Sequence, residues 1–253
     1  MADRDAILEH LDDLLDVASF ADYGPNGLQV PGAPEISTVV TGVSAGLELF
    51  ERAAEEGAEL VLVHHGLFWG GGPEALSPVT AARLKALLTR DVNLAAYHLP
   101  LDAHPRLGNN ALLADALGVA ARGPLGEAKG RAVGLYGRFP ARGIDAGELV
   151  ARVRDATGRE PLVFAAGPET VTTIGIVTGG AARMVSEAIE LGLDAFVTGE
   201  PTESVTTEVH EAGIHFVAAG HYATETFGVK ALGEDLENRF GVRHVFVDVP
   251  NPV

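Results

Sequence analysis

Short apolar runs alternate with amphipathic stretches that stop at glycine, and the alternation occurs twice along this chain. In the first half, residues 38–41 and 59–63 read as strands. Between them, 47–56 reads as a helix with Leu47, Phe50 and Ala54 on one face, stopped by Gly57. Residues 80–89 read as a helix, 92–97 as a strand, and 109–117 as a helix stopped by Gly118. In the second half, 173–177, 194–198 and 215–219 read as strands. They alternate with helices over 182–191, stopped by Gly192, and 227–240, stopped by Gly241. Strands alternating with helices imply an α/β fold.

The two halves also match residue by residue. EEGAELVLVHHG (55–66) lies over ELGLDAFVTGEP (190–201), and NLAAYHLPLDAH (93–104) over FVAAGHYATETF (216–227). The second match sets His98 on His221 and Asp102 on Glu225. An internal duplication of two similar α/β halves is expected, over 1–123 and 171–253, with a small α+β insertion over 124–170. The halves are expected to pack as one unit. Within the insertion, 131–138 and 162–165 read as strands and 144–157 as a helix.

Each half ends its apolar strands in groups that can bind metal. His64 and His65 follow the run Leu60-Val-Leu-Val63. Further on come His98-Leu-Pro-Leu-Asp102 and His221-Tyr-Ala-Thr-Glu225, each a histidine followed four residues later by a carboxylate. At that spacing on a helix both side chains share one face. Alone, either motif is what a capped helix start with a surface histidine provides, and the His-His pair is what a polar loop provides. Neighbouring side chains on a strand diverge, so His64 and His65 can act together only if the chain turns, which Gly66 permits. The two motifs at matching places in a repeat, beside the His-His pair, point to one site made of His64, His65, His98, Asp102, His221 and Glu225. Six nitrogen and oxygen ligands exceed one zinc ion and suit two metals sharing bridging groups. Imidazole with carboxylate suits zinc, iron, manganese or nickel and disfavours calcium or magnesium.

Composition narrows the alternatives. There is no cysteine, so thiolate ligands, cysteine nucleophiles and disulfides are excluded. A formal net charge of -17, with 35 acidic against 18 basic residues, argues against nucleic acid or anionic membrane as a partner. No apolar stretch reaches the length of a membrane span, and the acidic amphipathic N-terminus reads as a first helix, so a cytoplasmic location is expected. Among weaker candidates, Glu200 occupies the repeat position of His65. Thr178-Gly179-Gly180 opens a helix and is either an anion cradle or a tight turn. Gly70 to Pro73 reads as a loop near His65. His10, His210, His215 and His244 read as ordinary helix or strand histidines.

The segments Asn26-Gly-Leu-Gln-Val30, Val63-His-His-Gly66, Tyr97-His-Leu-Pro-Leu-Asp-Ala-His-Pro105, Thr198-Gly-Glu200, Gly220-His-Tyr-Ala-Thr-Glu225 and Asp248-Val-Pro-Asn-Pro252 resemble the YbgI (Nif-three-like) family, whose members are called GTP cyclohydrolase 1 type 2 homologues. The resemblance spans essentially the whole chain. It implies two intertwined α/β halves and a toroidal homohexamer with dinuclear metal centres facing an internal cavity. The ligands it implies are His64, His65, Asp102, His221 and Glu225, with His98 at the site. Two divalent metal ions per chain are expected. The function expected is a metal-dependent hydrolase acting on a nucleotide-like small molecule, with His98 or His104 as proton shuttle. The alternatives are a metal-handling or metal-delivery protein for iron or zinc, and a scaffold whose metals only hold the halves together.

Overall fold

Leu60, Val61, Leu62 and Val63 are all completely buried, as expected of a parallel strand covered on both faces. Each such side chain contributes roughly 1.5–3 kcal/mol by leaving water. In the computed structural model, which describes residues 1–70, 75–140 and 142–253, this run forms the strand Leu60–His65 at the centre of a five-stranded sheet. The sheet order is Arg243–Phe246, Thr38–Ser44, Leu60–His65, Asn93–Ala96, Gly27–Val30. The first four strands are mutually parallel and Gly27–Val30 is antiparallel.

The chain is mixed α/β and divides into two compact units. The first comprises Met1–Leu101 and Gly228–Pro250, the second Asp102–Phe227 and Asn251–Val253. These bounds differ from a linear division at 123 and 170. The physical reason is strand pairing: Arg243–Phe246, which the sequence pattern missed, joins Thr38–Ser44 and so assigns the C-terminal region to the first unit.

The second unit holds a six-stranded sheet in the order Leu162–Phe164, His215–Ala218, Ala195–Thr198, Thr173–Ile176, Arg131–Arg138, Ala120–Ala128. The three middle strands His215–Ala218, Ala195–Thr198 and Thr173–Ile176 are mutually parallel, and each outer strand is antiparallel to its inner neighbour. The segment 124–170 therefore does not stand apart. Its strands extend the sheet at both edges, and its helix Ala146–Thr157 packs Leu149 and Val153 into that unit's core. Asp145 starts this helix by accepting a hydrogen bond from Gly147 N at 2.8 Å, as an N-cap does.

The two units use one ladder frame. Val39, Leu60 and Asn93 stand side by side in the first, Ile174, Ala195 and His215 in the second. Glu59, just before its strand, accepts hydrogen bonds from Ser37 N, Thr38 N and Ser37 Oγ. Asp194, at the matching place, accepts from Thr172 N, Thr173 N and Thr173 Oγ1. Each carboxylate ties the starts of two parallel strands together. Counted in this frame, Leu99–Asp102 and His221–Thr224 are matching helical turns. His98 thus corresponds to Gly220, one residue off the match suggested by the sequence.

In both units the side chains of interest follow the carboxyl ends of parallel strands, where α/β sheets build their sites. Among the described residues, no helix is long and apolar enough to cross a membrane. Gly71, Gly72 and Pro73 of the expected loop near His65 lie outside the described residues.

Candidate metal centre

In the first unit, His64 and His65 come from the strand Leu60–His65 itself. The turn expected at the pair is absent, because Ser44 still pairs with His65 and keeps the strand extended through both histidines. On its other side the ladder ends at Val63 opposite Ala96. Past that point the two imidazoles converge, with ring centroids 4.7 Å apart. His98 follows the neighbouring strand, its ring 4.9 Å from that of His64 and 5.6 Å from that of His65. One nitrogen from each of the three lies within 4.8 Å of the others.

Hydrogen bonds set the direction of these donors. His64 is completely buried, and its Nδ1 donates to the Tyr97 carbonyl at 2.9 Å. A carbonyl only accepts, so the neutral ring carries its proton on Nδ1 and its lone pair on Nε2. His98 Nδ1 lies 2.7 Å from Asp22 Oδ1, which fixes the same tautomer. Ser44 Oγ lies 3.2 Å from His65 Nδ1. A histidine tied at one nitrogen to a carbonyl or carboxylate is the usual support for a metal ligand at the other.

Asp22 and Asn26 were not found by sequence reasoning. Asp22 Oδ2 accepts from Asn26 Nδ2 and from Leu99 N, and Asn26 Oδ1 accepts from His98 N. Burial opposes the charge on Asp22, but His98, Asn26 and the Tyr23 N–H outweigh it and hold the carboxyl below its ordinary value. The only signal was Asn26 within a motif quoted above. Tyr97, also buried, donates its hydroxyl to Asp12 Oδ1 at 2.8 Å. Burial first, and then the Asp12 charge, push its pKa up.

In the second unit, His221 opens the turn His221–Thr224 and Glu225 closes it. His221 Nε2 lies 3.3 Å from Glu225 Oε2, and its Nδ1 3.0 Å from Glu200 Oε1. Glu200 is thus a partner of His221. Burial pushes the His221 imidazole down, but the hydrogen bonds and charges of Glu225 and Glu200 win and raise it to about 9. Gly220 enters the turn at φ +96°, a backbone state that L side chains rarely adopt. Gly179, at φ +69°, has no room for a side chain: a Cβ there would collide with Glu225 Oε1. The Thr178-Gly179-Gly180 turn therefore seats this chain's own carboxylate, and Gly179 N is fixed by Thr224 Oγ1 at 3.1 Å.

Asp102 is also in the second unit and nearly buried. Its Oδ1 accepts from Asn109 Nδ2 at 2.8 Å. With His104, Asn110 and Val133 it lines a cavity of about 360 Å³. His104 Nδ1 accepts the N–H of Leu107 at 2.9 Å, so its neutral ring carries the proton on Nε2. The other histidines play structural parts: His10 pairs with Asp235, His215 bonds to the Pro168 carbonyl and His244 to Thr41. His210 lies in the helix Val205–Ala212.

The donor chemistry fits a divalent transition metal. Three imidazoles, two of them with fixed tautomers, stand in one unit, and an imidazole beside a buried carboxylate in the other. The share of imidazoles argues against calcium or magnesium.

The family model described as Duf34/NIF3 (NGG1p interacting factor 3) matches residues 2–252. The chain belongs to the Duf34/NIF3 family. A relative from Pseudomonas aeruginosa, called GTP cyclohydrolase 1 type 2 homolog, is 46% identical over 246 residues, covering 97% of each chain. An Escherichia coli relative of the same name is 41% identical over 249 residues, covering 96% of each. Among solved structures, protein ybgI, described as of unknown function, shares 39% identity over the whole of both chains, with a TM-score of 0.94. A Thermus thermophilus protein shares 40% identity, again over both whole chains, with a TM-score of 0.89. Duf34/NIF3 membership thus covers both units, including the segment 124–170.

Proposed function

We propose that this Duf34/NIF3 chain is a metal-dependent hydrolase of a nucleotide-like small molecule. In this reading His64, His65, His98, Asp102, His221 and Glu225 together hold two divalent ions, and the working form is a cytoplasmic homohexamer. The observation that carries the reading is the support of the histidine triad: His64 on the Tyr97 carbonyl and His98 on Asp22 both direct a lone pair through Nε2. The shared ladder frame supports descent by internal duplication. The name of the relatives, GTP cyclohydrolase 1 type 2 homolog, supports a purine ring as the group acted on.

Bound divalent metals would supply Lewis-acid polarisation of a substrate or water oxygen. The chain's own residues do the rest. Asn109 orients the Asp102 carboxylate, and Glu200 orients His221. As a ligand through Nε2, His98 has no nitrogen left to move a proton. That role falls to His104, which lines the cavity with Asp102 and would act as general acid toward the leaving group through Nε2–H.

Metal-loaded protein is assayed for ring opening and formate release on GTP and on other nucleotides. Turnover that is lost in His104→Gln, with metal content kept, is the expected result. Full metal loading with no turnover on any nucleotide, and ready transfer of metal to an acceptor, would overturn the hydrolase reading in favour of metal handling.

A further inference from the structure

Tyr23 and Trp69 are among the most exposed aromatic side chains, at 48% and 42%, and both stand against the histidine triad. Trp69 is the only tryptophan of the chain. Its ring lies 5.2 Å from that of His98 at 86°, and 5.9 Å from that of His65. The Tyr23 ring lies 6.1 Å from His98. Single exposed apolar residues are ordinary on a protein surface, but two large rings bordering one metal-ligating cluster are not.

The Trp69 ring and the backbone that carries Tyr23 are held in place. Trp69 Nε1 donates to the Gly66 carbonyl at 3.0 Å, one residue past His65. Gly70 N donates to the Tyr23 carbonyl at 2.8 Å, joining the two segments that carry the rings. A Cβ at Gly24 would collide with the Phe68 carbonyl, so these segments touch closely. The rings are therefore part of a built wall.

Resting on the metal-centre reading, we propose that Tyr23 and Trp69 form a stacking platform that seats a planar nitrogen heterocycle beside the His64, His65 and His98 donors. Aromatic faces hold such rings by stacking, whatever their hydrogen-bond pattern. The charge of the chain sets a second condition. At a formal net charge of -17, a polyanion is repelled, so the favoured ligand is a base or nucleoside and not its triphosphate.

The test uses Trp69 as its own reporter. Full-length, metal-loaded protein is titrated with guanosine, ribose 5-phosphate and GTP while tryptophan emission is recorded. Guanosine should quench saturably, ribose 5-phosphate should not, and GTP should bind more weakly than guanosine at low salt. By equilibrium dialysis, Trp69→Leu should weaken guanosine binding about tenfold or more, and Tyr23→Leu severalfold, with metal content unchanged. No saturable quenching, or undiminished guanosine binding in Trp69→Leu, would overturn the platform while leaving the metal centre standing. So would a change of oligomeric mass in Trp69→Leu without any base binding, which would show that a second copy of the chain covers the rings. Loss of metal from wild-type protein with guanosine quenching intact would sink the metal reading and keep the platform.

Discussion

The two donor clusters differ in what holds them ready. In the first unit three imidazoles meet, supported by a carbonyl and one buried carboxylate, and hydrogen bonds decide which nitrogen faces outward. In the second, one imidazole stands between two carboxylates, and against the effect of burial their hydrogen bonds and charges raise it to about 9. The first cluster is arranged by geometry and the second is held by a proton. On the proposed reading, a metal ion arriving at His221 and Glu225 would have to displace that proton, because the ligand is the neutral ring.

Variants and titrations can break or sharpen this contrast. The largest effect is expected of His64→Ala combined with His65→Ala, which removes two of the three triad donors. Metal affinity should fall by more than the roughly 10–100-fold typical of losing a supporting partner, as read by competition with a chromogenic chelator. Retention of full metal content would refute the site. Asp22→Asn keeps an acceptor for His98 Nδ1 but removes its charge. It should cost about 10–100-fold in metal affinity and leave proton release on loading unchanged. A shift in proton release instead would show that the clusters are not distinct in the way described.

Gly179→Ala strains a backbone at φ +69° and intrudes on Glu225. It should destabilise the metal-free protein by about 1–3 kcal/mol, measured by urea unfolding. An unchanged midpoint would mean that the turn does not need glycine. The smallest effect concerns His221. Its folded pKa is raised above the ordinary 6.5, so the stability it contributes is fully present below pH 6.5 and lost as pH rises through about 9. Loading at pH 7.5 should then release about one proton through this ring, and fewer in Glu200→Gln, by calorimetry in buffers of different ionisation enthalpy. Equal release in both proteins would remove Glu200 from the account.

Much of this was legible in the sequence, for identifiable reasons. Apolar runs such as Leu60–Val63 mark buried parallel strands because both faces must be covered. The glycines expected to stop helices, Gly57, Gly118, Gly192 and Gly241, all take positive φ. The histidines and carboxylates could be found because they follow such strands. Asp22 could not, since it lies in an irregular segment with no periodicity and acts through contacts 76 positions away in sequence. The strand Arg243–Phe246 was missed because it is short and at a sheet edge, and is only partly buried. In the segment 124–170 the strands and the helix were legible, but which sheet the strands would join was not, because short strands carry no mark of their partners. The His98-on-His221 match slipped by one residue because sequence similarity follows chemistry while ladders follow backbone pairing.

The central claim is that the two clusters are metal-binding, and metal content per chain tests it most directly. Protein purified without added metal, and then after loading with zinc, iron or manganese, would be analysed by elemental mass spectrometry, alongside the His64→Ala/His65→Ala and Glu225→Gln variants. The account predicts about two equivalents in the wild type and a clear loss in both variants. Less than about half an equivalent in wild-type protein, not restored by loading, would contradict it, since the converging imidazoles and buried carboxylate would then be serving another purpose.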